Sequence, residues 1–284
     1  TCFLIHKMLQ EAGFKAGLMT TVAYGAGDDI KPQTYHMTNV TLPALMKRLK
    51  YMNSQGVEWL VLETTSQALA QNRTWGVPYS LAVLTNVTHE HLDWHGSFEN
   101  YRDAKKKLFT KVGRNKKGLN VGIVNAEDAC AELFAKEVKT AISYGIDKGD
   151  LRATKLKMTP GGSRYRAVIE GDEYSIQCHL PGSFNVSNSL AAVAVGRALG
   201  LGKDQIEKGI AGLRQVAGRM MRLDEGQDFD VIVDYAHTPD SFEKLFKDLK
   251  PVVKGKLIVL FGSAGRRDET KRAVQGRLAG EFAD

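Results

Sequence analysis

Side chains suited to metal binding and proton transfer are concentrated in residues 84–109. The block holds three histidines, two carboxylates and a lysine, at His89, Glu90, His91, Asp93, His95 and Lys105. Imidazole nitrogens and carboxylate oxygens can move a proton near neutral pH or ligate a metal. A histidine-rich turn that is merely solvated has the same composition, so both interpretations stay open on these residues alone.

Two apolar runs would position this chemistry. Residues 79–84 predict a buried strand that leads into the histidine block, and Lys105 falls on the helix that follows. Residues 57–63 predict a second buried strand, which ends in Glu63. Ligands of α/β proteins collect at the carboxyl ends of parallel strands, and a carboxylate there suits Mg²⁺. Both strand ends are therefore candidate site positions.

Composition indicates an ordinary globular protein. The chain has 284 residues, of which 43% are hydrophobic and 25% charged, and this length suggests two domains or one domain and part of another. No apolar run approaches the roughly 20 residues of a membrane span, so we expect none. Cys2, Cys130 and Cys178 are odd in number and widely separated, which argues against a disulfide framework or a zinc site. We expect a cytoplasmic protein.

The net charge of +7 has two interpretations. A basic surface can bind nucleic acid, but the lysines here are dispersed, and an anionic nucleotide substrate would be served equally well. We expect no nucleic-acid partner, and a basic RNA-binding fragment remains the alternative.

Periodicity predicts the order of the elements. Helices are expected over residues 1–12, 42–52, 129–138 and 206–213, and strands over residues 16–22, 57–63, 79–84, 119–125 and 256–261. Residues 24–35 are expected to be a polar loop, residues 140–180 an antiparallel β insertion, and residues 182–188 the start of an alanine-rich helix. The predicted class is α/β, with a mostly parallel central sheet flanked by helices and a small antiparallel insertion in residues 1–222. A partial Rossmann-like domain would follow in residues 223–284.

Residues 85–105 resemble the central-domain signature of the Mur ligases, most closely the UDP-N-acetylmuramoyl-tripeptide synthetases (MurE type). The family pattern is T-N-x-x-x-D-H-L-D-x-H-G, followed by Y-x-x-A-K. The matching positions are Thr85, Asn86, His91, Leu92, Asp93, His95, Gly96, Tyr101, Ala104 and Lys105. Glu90 stands where the family usually has aspartate, and it keeps the charge.

Further blocks follow in the family's order. Residues 63–73 resemble E-V-S-S-H-G-L-x-Q-x-R, residues 125–128 the N-A-D-D turn, residues 182–188 G-x-F-N-x-x-N, residues 217–220 P-G-R-M, and residues 233–241 V-D-Y-A-H-T-P-D-S. Gln67 and Ala68 depart from the MurE pattern. Other ligases of the superfamily therefore remain open, namely a MurF, cyanophycin synthetase or folylpolyglutamate type.

The resemblance implies an ATP-dependent amide ligase of peptidoglycan synthesis. Such an enzyme adds diaminopimelate or lysine to UDP-N-acetylmuramoyl-dipeptide. The substrate carboxylate attacks the γ-phosphate of ATP to give an acyl phosphate, and the incoming amino group then displaces phosphate. The implied ligands are ATP, Mg²⁺, the UDP-sugar peptide and an amino acid, and the implied state is a monomer.

The resemblance also implies roles for individual residues. The catalytic and metal-holding residues would be Glu63, His91 and Lys105, with Lys105 carbamylated (N6-carboxylated) so that it offers oxygen ligands. The ATP-binding residues would be Asn185, Asn188, Arg219, Asp234 and His237. The substrate-binding residues would be Thr38, Asn39, Thr65, Gln71 and Arg73.

The first helix has no visible cap or preceding strand. In the Mur ligases this helix directly follows the phosphate loop G-T-x-G-K-T-T, so Thr1 would be among the last residues of that loop. We therefore expect the glycines and lysine of the loop to lie upstream and the given chain alone not to turn over ATP. A nucleotide-binding module without catalysis is the corresponding alternative.

Overall fold

The computed structural model describes residues 1–35, 37–88, 92–263 and 269–284. The α-helices in these ranges are α1 (Cys2–Glu11), α2 (Leu42–Ser54), α3 (Ser66–Ala70), α4 (Leu92–His95), α5 (Phe98–Arg114), α6 (Ala131–Ala135), α7 (Ser183–Ala198), α8 (Lys203–Ala211), α9 (Pro239–Leu249) and α10 (Thr270–Phe282). The strands are β1 (Ala16–Met19), β2 (Ala23–Ala26), β3 (Asp29–Pro32), β4 (Trp59–Leu62), β5 (Leu81–Leu84), β6 (Val121–Asn125), β7 (Thr140–Gly145), β8 (Leu151–Thr159), β9 (Gly162–Ile169), β10 (Asp172–Cys178), β11 (Met221–Leu223) and β12 (Val231–Val233). None of the helices in the described ranges combines the length and apolarity that a bilayer crossing needs.

The central sheet has six strands in the order β10-β9-β8-β7-β6-β5. Neighbours from β5 to β8 are parallel, whereas β8, β9 and β10 pair antiparallel. The predicted α/β class with a parallel-rich sheet is confirmed. The antiparallel insertion expected over residues 140–180 begins later than predicted, because β7 pairs parallel with both β6 and β8, and the insertion continues this sheet. Because β5 and β6 run in the same direction, the segments that follow them lie at one edge of the sheet.

A second sheet has the order β3-β2-β1-β4, in which β1 and β4 are parallel. The loop expected over residues 24–35 is wrong, because β2 and β3 form an antiparallel hairpin there. Gly27 makes its turn with φ +59°, and a Cβ at Gly25 would clash with the Asp29 carbonyl. β3 is mostly exposed and polar, so its sequence lacks the apolar alternation that marks a strand.

Helix α7 lies at the centre of the main core. Its alanines and valines from residue 191 to 195 are buried, and it packs against α1, α8 and the central sheet. Gly209 of α8 permits close packing on α1, since a Cβ there would lie 2.4 Å from the Cα of Met8. A helix buried on all sides has apolar residues on all sides, which explains the alanine-rich run.

Residues after 217 form a separate small cluster. Phe242 and Phe246 of α9 pack against Leu278 of α10. The strand expected over residues 256–261 is wrong, since this segment pairs with no strand in the described part of the chain. Ile258 and Leu260 are 83% and 98% exposed. The segment is an apolar run in the sequence, but a strand also needs a hydrogen-bonded neighbour.

Candidate active site

A cleft of about 810 Å³ opens at the carboxyl ends of β1, β4, β5 and β6. It is closed on the other side by the start of α7 and by the segment between β12 and α9. Its wall includes six of the side chains singled out from the sequence, namely Glu63, Asn185, Asn188, Arg219, Asp234 and His237. The structure therefore brings together residues from distant parts of the chain, as expected for strand-end positions.

Glu63 follows β4 and is oriented by Thr21, which follows the neighbouring strand β1. Thr21 donates from its backbone nitrogen to Oε2 (2.9 Å) and from Oγ1 to Oε1 (2.8 Å). Since the Thr21 hydroxyl gives its proton to Glu63, the Oγ1 of Thr38 at 2.9 Å donates to Thr21. Each carboxylate oxygen keeps a second lone pair. Glu63 is thus fixed in orientation and can still accept a cation.

Asn39 forms hydrogen bonds at the same end of β4. It is only 4% exposed, and its Nδ2 donates to the Glu63 carbonyl at 2.8 Å. Its Oδ1 accepts from the backbone nitrogen of Thr65 at 2.9 Å and from the Thr65 Oγ1 at 3.1 Å. The amide is therefore occupied by contacts within the chain that position Glu63.

The remaining expected substrate residues are placed differently from one another. Thr65 caps α3 through its side-chain oxygen. Arg73 directs its guanidinium to the Sδ of Met37 at 3.0 Å and to the Asn39 carbonyl at 3.4 Å. Gln71 is exposed at the end of α3. The structure thus joins Arg73 to the Asn39 network, and it shows no such link for Gln71 among the described residues.

Side chains from the turn after β6 hold the segment that follows β5. The Nδ2 of Asn125 donates to the Thr85 carbonyl at 2.8 Å, and Asp128 accepts from the Val87 backbone nitrogen at 2.5 Å. Tyr144 donates its hydroxyl to the last carbonyl of β5 at 3.0 Å, and burial raises the pKa of this tyrosine. These contacts give residues 125–128 a structural role, since they hold the segment after β5. The sequence could not predict these contacts, because they form only when β5 and β6 pair.

Lys105 contacts the loop after β5 and does not itself line the cleft. Its Nζ donates to the Asn86 carbonyl at 3.0 Å and lies 4.7 Å from the centre of the Tyr101 ring. Asn86 itself lines the cleft with Glu63. His91, the third expected metal ligand, lies outside the described residues, as do His89 and Glu90. Among the described residues, no three histidine, cysteine or acidic side chains converge as a metal site would require.

His95 anchors the start of α5 to α3. It is buried, and its Nε2 lies 3.0 Å from the Ser66 Oγ. Its backbone carbonyl accepts from the Nδ2 of Asn100 at 2.9 Å. This side chain therefore joins α3 to the start of α5, and it does not line the cleft.

The two asparagines of α7 form a chain of hydrogen bonds at the cleft. Asn185 donates from Nδ2 to the Pro181 carbonyl at 2.6 Å and accepts at Oδ1 from the Nδ2 of Asn188 at 3.0 Å. The Oδ1 of Asn188 accepts from the Thr1 hydroxyl at 2.6 Å. Each amide keeps a further donor or acceptor position, which a ligand can use.

Asp234 ties β12 to the segment before β11. Its Oδ2 accepts from the Met220 backbone nitrogen and its Oδ1 from that of Ala236, both at 2.8 Å. The carboxylate is thereby fixed at the cleft wall with a lone pair left on each oxygen.

Arg219, Tyr235 and His237 form a cluster of a guanidinium and two aromatic rings beside Asp234, in which the two rings meet edge to face. The guanidinium carbon of Arg219 lies 4.8 Å from the centre of the Tyr235 ring, and the His237 ring lies 5.0 Å from that same centre. The Nδ1 of His237 lies 2.9 Å from the Tyr235 carbonyl, so Nδ1 carries a proton and donates to this oxygen. Arg219 and His237 are exposed. Sequence reasoning missed Tyr235, although it lies between two residues that were singled out.

Two family models match the chain. Residues 1–196 match the Mur ligase middle domain, and residues 218–284 match the Mur ligase glutamate ligase domain. Together they contain every residue expected to take part in the site.

Individual proteins are similar over the whole chain. UDP-N-acetylmuramoyl-L-alanyl-D-glutamate–2,6-diaminopimelate ligase of Geobacillus thermodenitrificans is 38% identical, and the match covers 100% of this chain and 58% of the relative. A solved structure of a ligase with that same name is 27% identical, with a TM-score of 0.76, and covers 100% and 57%. The Thermotoga maritima MurF ligase in complex with ADP shares the fold, at 17% identity and a TM-score of 0.71, with 98% and 60% covered. The chain thus spans about three-fifths of the length of the proteins it matches.

Proposed function

The chain belongs to the Mur ligase family, and we propose that the protein is an ATP-dependent amide ligase of peptidoglycan synthesis. It would join an amino acid, diaminopimelate or lysine, to UDP-N-acetylmuramoyl-dipeptide. The relative named as a diaminopimelate ligase supports diaminopimelate. The substrate carboxylate would attack the γ-phosphate of ATP and release ADP. The amino group would then attack the acyl phosphate and release phosphate.

One observation carries this proposal: the cleft is lined by residues of both matched segments, and each segment forms one of its walls. Glu63 and the α7 asparagines come from the middle-domain match, whereas Asp234 and His237 come from the second match. A ligase must bring a nucleotide and two further substrates together, and a cleft between two segments gives room for that. We further propose a boundary between two domains near Leu223.

We propose that the nucleotide lies against α7 and the segment after β12. Asn185 and Asn188 would face the adenine edge, since an amide both donates and accepts. Asp234 would accept from the ribose hydroxyls. Arg219 and His237 would complete the site, because a guanidinium pairs with phosphate oxygens and an imidazole acceptor suits an amino group.

The side chain of Glu63 has the chemistry that a magnesium ligand needs. Its carboxylate is an oxygen ligand held in place by Thr21, as a hard cation requires. His91 and a carbamylated Lys105 would be the other ligands. Bound magnesium would neutralise phosphate charge during transfer. Lys105 already contacts the β5 loop, so its carbamate would lie where that loop meets the cleft.

The acceptor substrate is proposed to bind beside Glu63, near Thr38, Asn39, Thr65, Gln71 and Arg73. Arg73 is the cation of this group, which suits the carboxylate and pyrophosphate of a UDP-sugar peptide. Asn39 and Thr65 would act as positioning residues, since their polar atoms contact one another and the Glu63 backbone. We also propose a monomer that works in the cytoplasm, where these substrates are made.

Phosphate release by the protein at its natural length tests the proposal. The assay contains UDP-N-acetylmuramoyl-dipeptide, ATP and Mg²⁺, with a panel of amino acids added one at a time. We expect strong stimulation by diaminopimelate or lysine and none without the dipeptide substrate. Activity on a different acceptor would keep the family mechanism but replace the substrate with that of a MurF, cyanophycin synthetase or folylpolyglutamate type. No stimulation by any acceptor would favour a nucleotide-binding module.

A further inference from the structure

One stretch of the chain carries basic residues without any acidic neighbour in sequence, although the lysines of the chain as a whole are dispersed. The proposed reaction uses only the start of this stretch. Between residues 104 and 126 the chain has no acidic residue. It has seven basic ones there: Lys105, Lys106, Lys107, Lys111, Arg114, Lys116 and Lys117. Lys105 has a role in the proposed reaction, and the others need a separate account.

Helix α5 carries this charge away from the cleft. Lys105 contacts the loop after β5, at the carboxyl edge of the sheet. Arg114 lies nine residues further along the helix, a rise of about 14 Å. The following residues reach the opposite edge, because the Asn120 backbone nitrogen donates to the Ser80 carbonyl at 3.1 Å, just before β6 and β5 begin. The basic end of α5 therefore lies at the amino edge of the central sheet.

Apolar side chains lie exposed at the same edge. The Nζ of Lys111 donates to the Thr74 carbonyl at 3.0 Å, which places the loop containing Trp75 beside it. Trp75 is 69% exposed, the largest exposure of any tryptophan in the chain, and Leu119 is 42% exposed. We name this region the amino-edge surface; it consists of Trp75, Lys111, Arg114, Lys116, Lys117 and Leu119.

Local structural roles explain only part of this surface. Lys111 and Arg114 lie in the last turn of α5, where cations compensate the helix dipole. Lys116 and Lys117 lie beyond the end of the helix and are exposed. The nearby Glu137 does not offset them, because it pairs with Lys106 at 3.3 Å and accepts from the Thr110 hydroxyl at 2.6 Å. Trp75 and Leu119 add exposed apolar area at the same edge of the sheet as these cations.

We propose that the amino-edge surface binds the surface of an anionic lipid bilayer. Lysine and arginine are attracted to anionic headgroups, and tryptophan partitions into the interface with its ring among the headgroups. Trp75 and Leu119 would insert while Lys116 and Lys117 contact lipid phosphates. The cleft lies at the other edge of the sheet and would stay open to its substrates. Single-stranded nucleic acid is the less suitable partner, since it is bound by a groove in which several aromatics stack on bases.

Vesicle co-sedimentation tests the proposal without any need for ligase activity. The protein is mixed with vesicles of phosphatidylglycerol and phosphatidylcholine in equal parts, or of phosphatidylcholine alone. We expect binding to the anionic vesicles only, and its loss at high salt. Lys116→Glu/Lys117→Glu should lower the partition coefficient at least tenfold, roughly the loss that removing two surface cations gives. Trp75→Ala should also lower it several-fold and abolish a blue shift of tryptophan emission.

Matched controls separate a specific surface from net charge. Lys47→Glu/Lys50→Glu makes the same charge change at two exposed positions of α2 and should bind like the unchanged protein. Equal losses in both double variants would overturn the proposal, as would equal binding to neutral vesicles. Tighter binding to single-stranded RNA than to anionic vesicles at the same salt would assign the surface to nucleic acid instead. Retention of binding in Trp75→Ala together with the unchanged blue shift would also contradict it.

Discussion

The two walls of the cleft are built in opposite ways. The inner wall is formed by Thr21 and Glu63 and is supported by Asn39, which is almost fully buried and does not itself line the cleft. Hydrogen bonds within the chain join the three residues. The outer wall, defined by Arg219, Tyr235 and His237, is exposed, with Tyr235 at 48%. The inner wall is therefore organised before any ligand binds, whereas the outer wall keeps its polar groups available. Substitutions should affect stability on one wall and ligand affinity on the other.

The largest effect is expected at Lys105, whose Nζ donates to the Asn86 carbonyl in the loop after β5. Lys105→Ala removes the proposed carbamate and should lower kcat on the order of 1000-fold, the scale of a lost group that stabilises transition-state charge. Short carboxylates added to this variant should restore part of the activity. Lys107→Ala, on the same helix but exposed, is the control and should retain activity. Equal activity in the two variants would remove Lys105 from the site.

Within the inner wall, Asn39→Ala should lower the free energy of unfolding by about 2–3 kcal/mol. The change leaves the Glu63 carbonyl and the Thr65 backbone nitrogen without their partners in a partly buried position. Urea unfolding measures the effect, with Gln71→Ala at an exposed position as the control, expected within about 0.5 kcal/mol of the unchanged protein. A similarly small change in Asn39→Ala would mean that this wall is not preorganised by the amide.

Substitutions in the outer wall should show the opposite pattern. His237→Ala and Arg219→Ala should each raise the KM for ATP about tenfold, the value of one lost hydrogen bond or ion pair. Their unfolding free energies should stay within about 0.5 kcal/mol, because both side chains are exposed. A large loss of stability without a change in KM would contradict the distinction between the walls.

The order of elements and the strand-end carboxylate could be predicted from the sequence. Glu63 directly follows an apolar run, so its place at a strand end depends on local pattern alone. The role of Asn39 could not be predicted, because its partner Glu63 is 24 residues away and the contact needs the packed second sheet. Tyr235 was missed for the same reason, since its partner Arg219 lies in a different segment.

The errors in secondary structure share a physical cause. The β2–β3 hairpin was missed because β3 is an exposed edge strand with little apolar alternation. The strand expected over residues 256–261 was wrong although the segment is a continuous apolar run after Lys256, because a strand also needs a pairing partner. Local pattern reports which faces are apolar, whereas strand formation depends on neighbours that the pattern does not contain.

The smallest expected effect is a dependence of stability on pH, and it comes from His6, a buried residue of α1. Burial lowers the pKa of His6 below its usual 6.5, against a weaker opposing hydrogen bond to the Ala16 carbonyl. The unfolded chain therefore binds a proton at this histidine more readily than the folded chain does. The stability that neutral His6 contributes is fully present above pH 6.5 and is lost as the pH falls below that value. His6→Gln should flatten this dependence in denaturant titrations. An unchanged slope would show that His6 is not the titrating group.

The stoichiometry of products tests the central claim most directly. The protein at its natural length is incubated with UDP-N-acetylmuramoyl-dipeptide, ATP and the stimulating amino acid. The products are then separated by chromatography, and mass spectrometry identifies and quantifies them. We predict ADP, phosphate and an amide product in equal amounts, the amide having the mass of both substrates less one water. ADP and phosphate formed without the amide, or no turnover with any amino acid, would contradict the assignment of this cleft to an amide ligase.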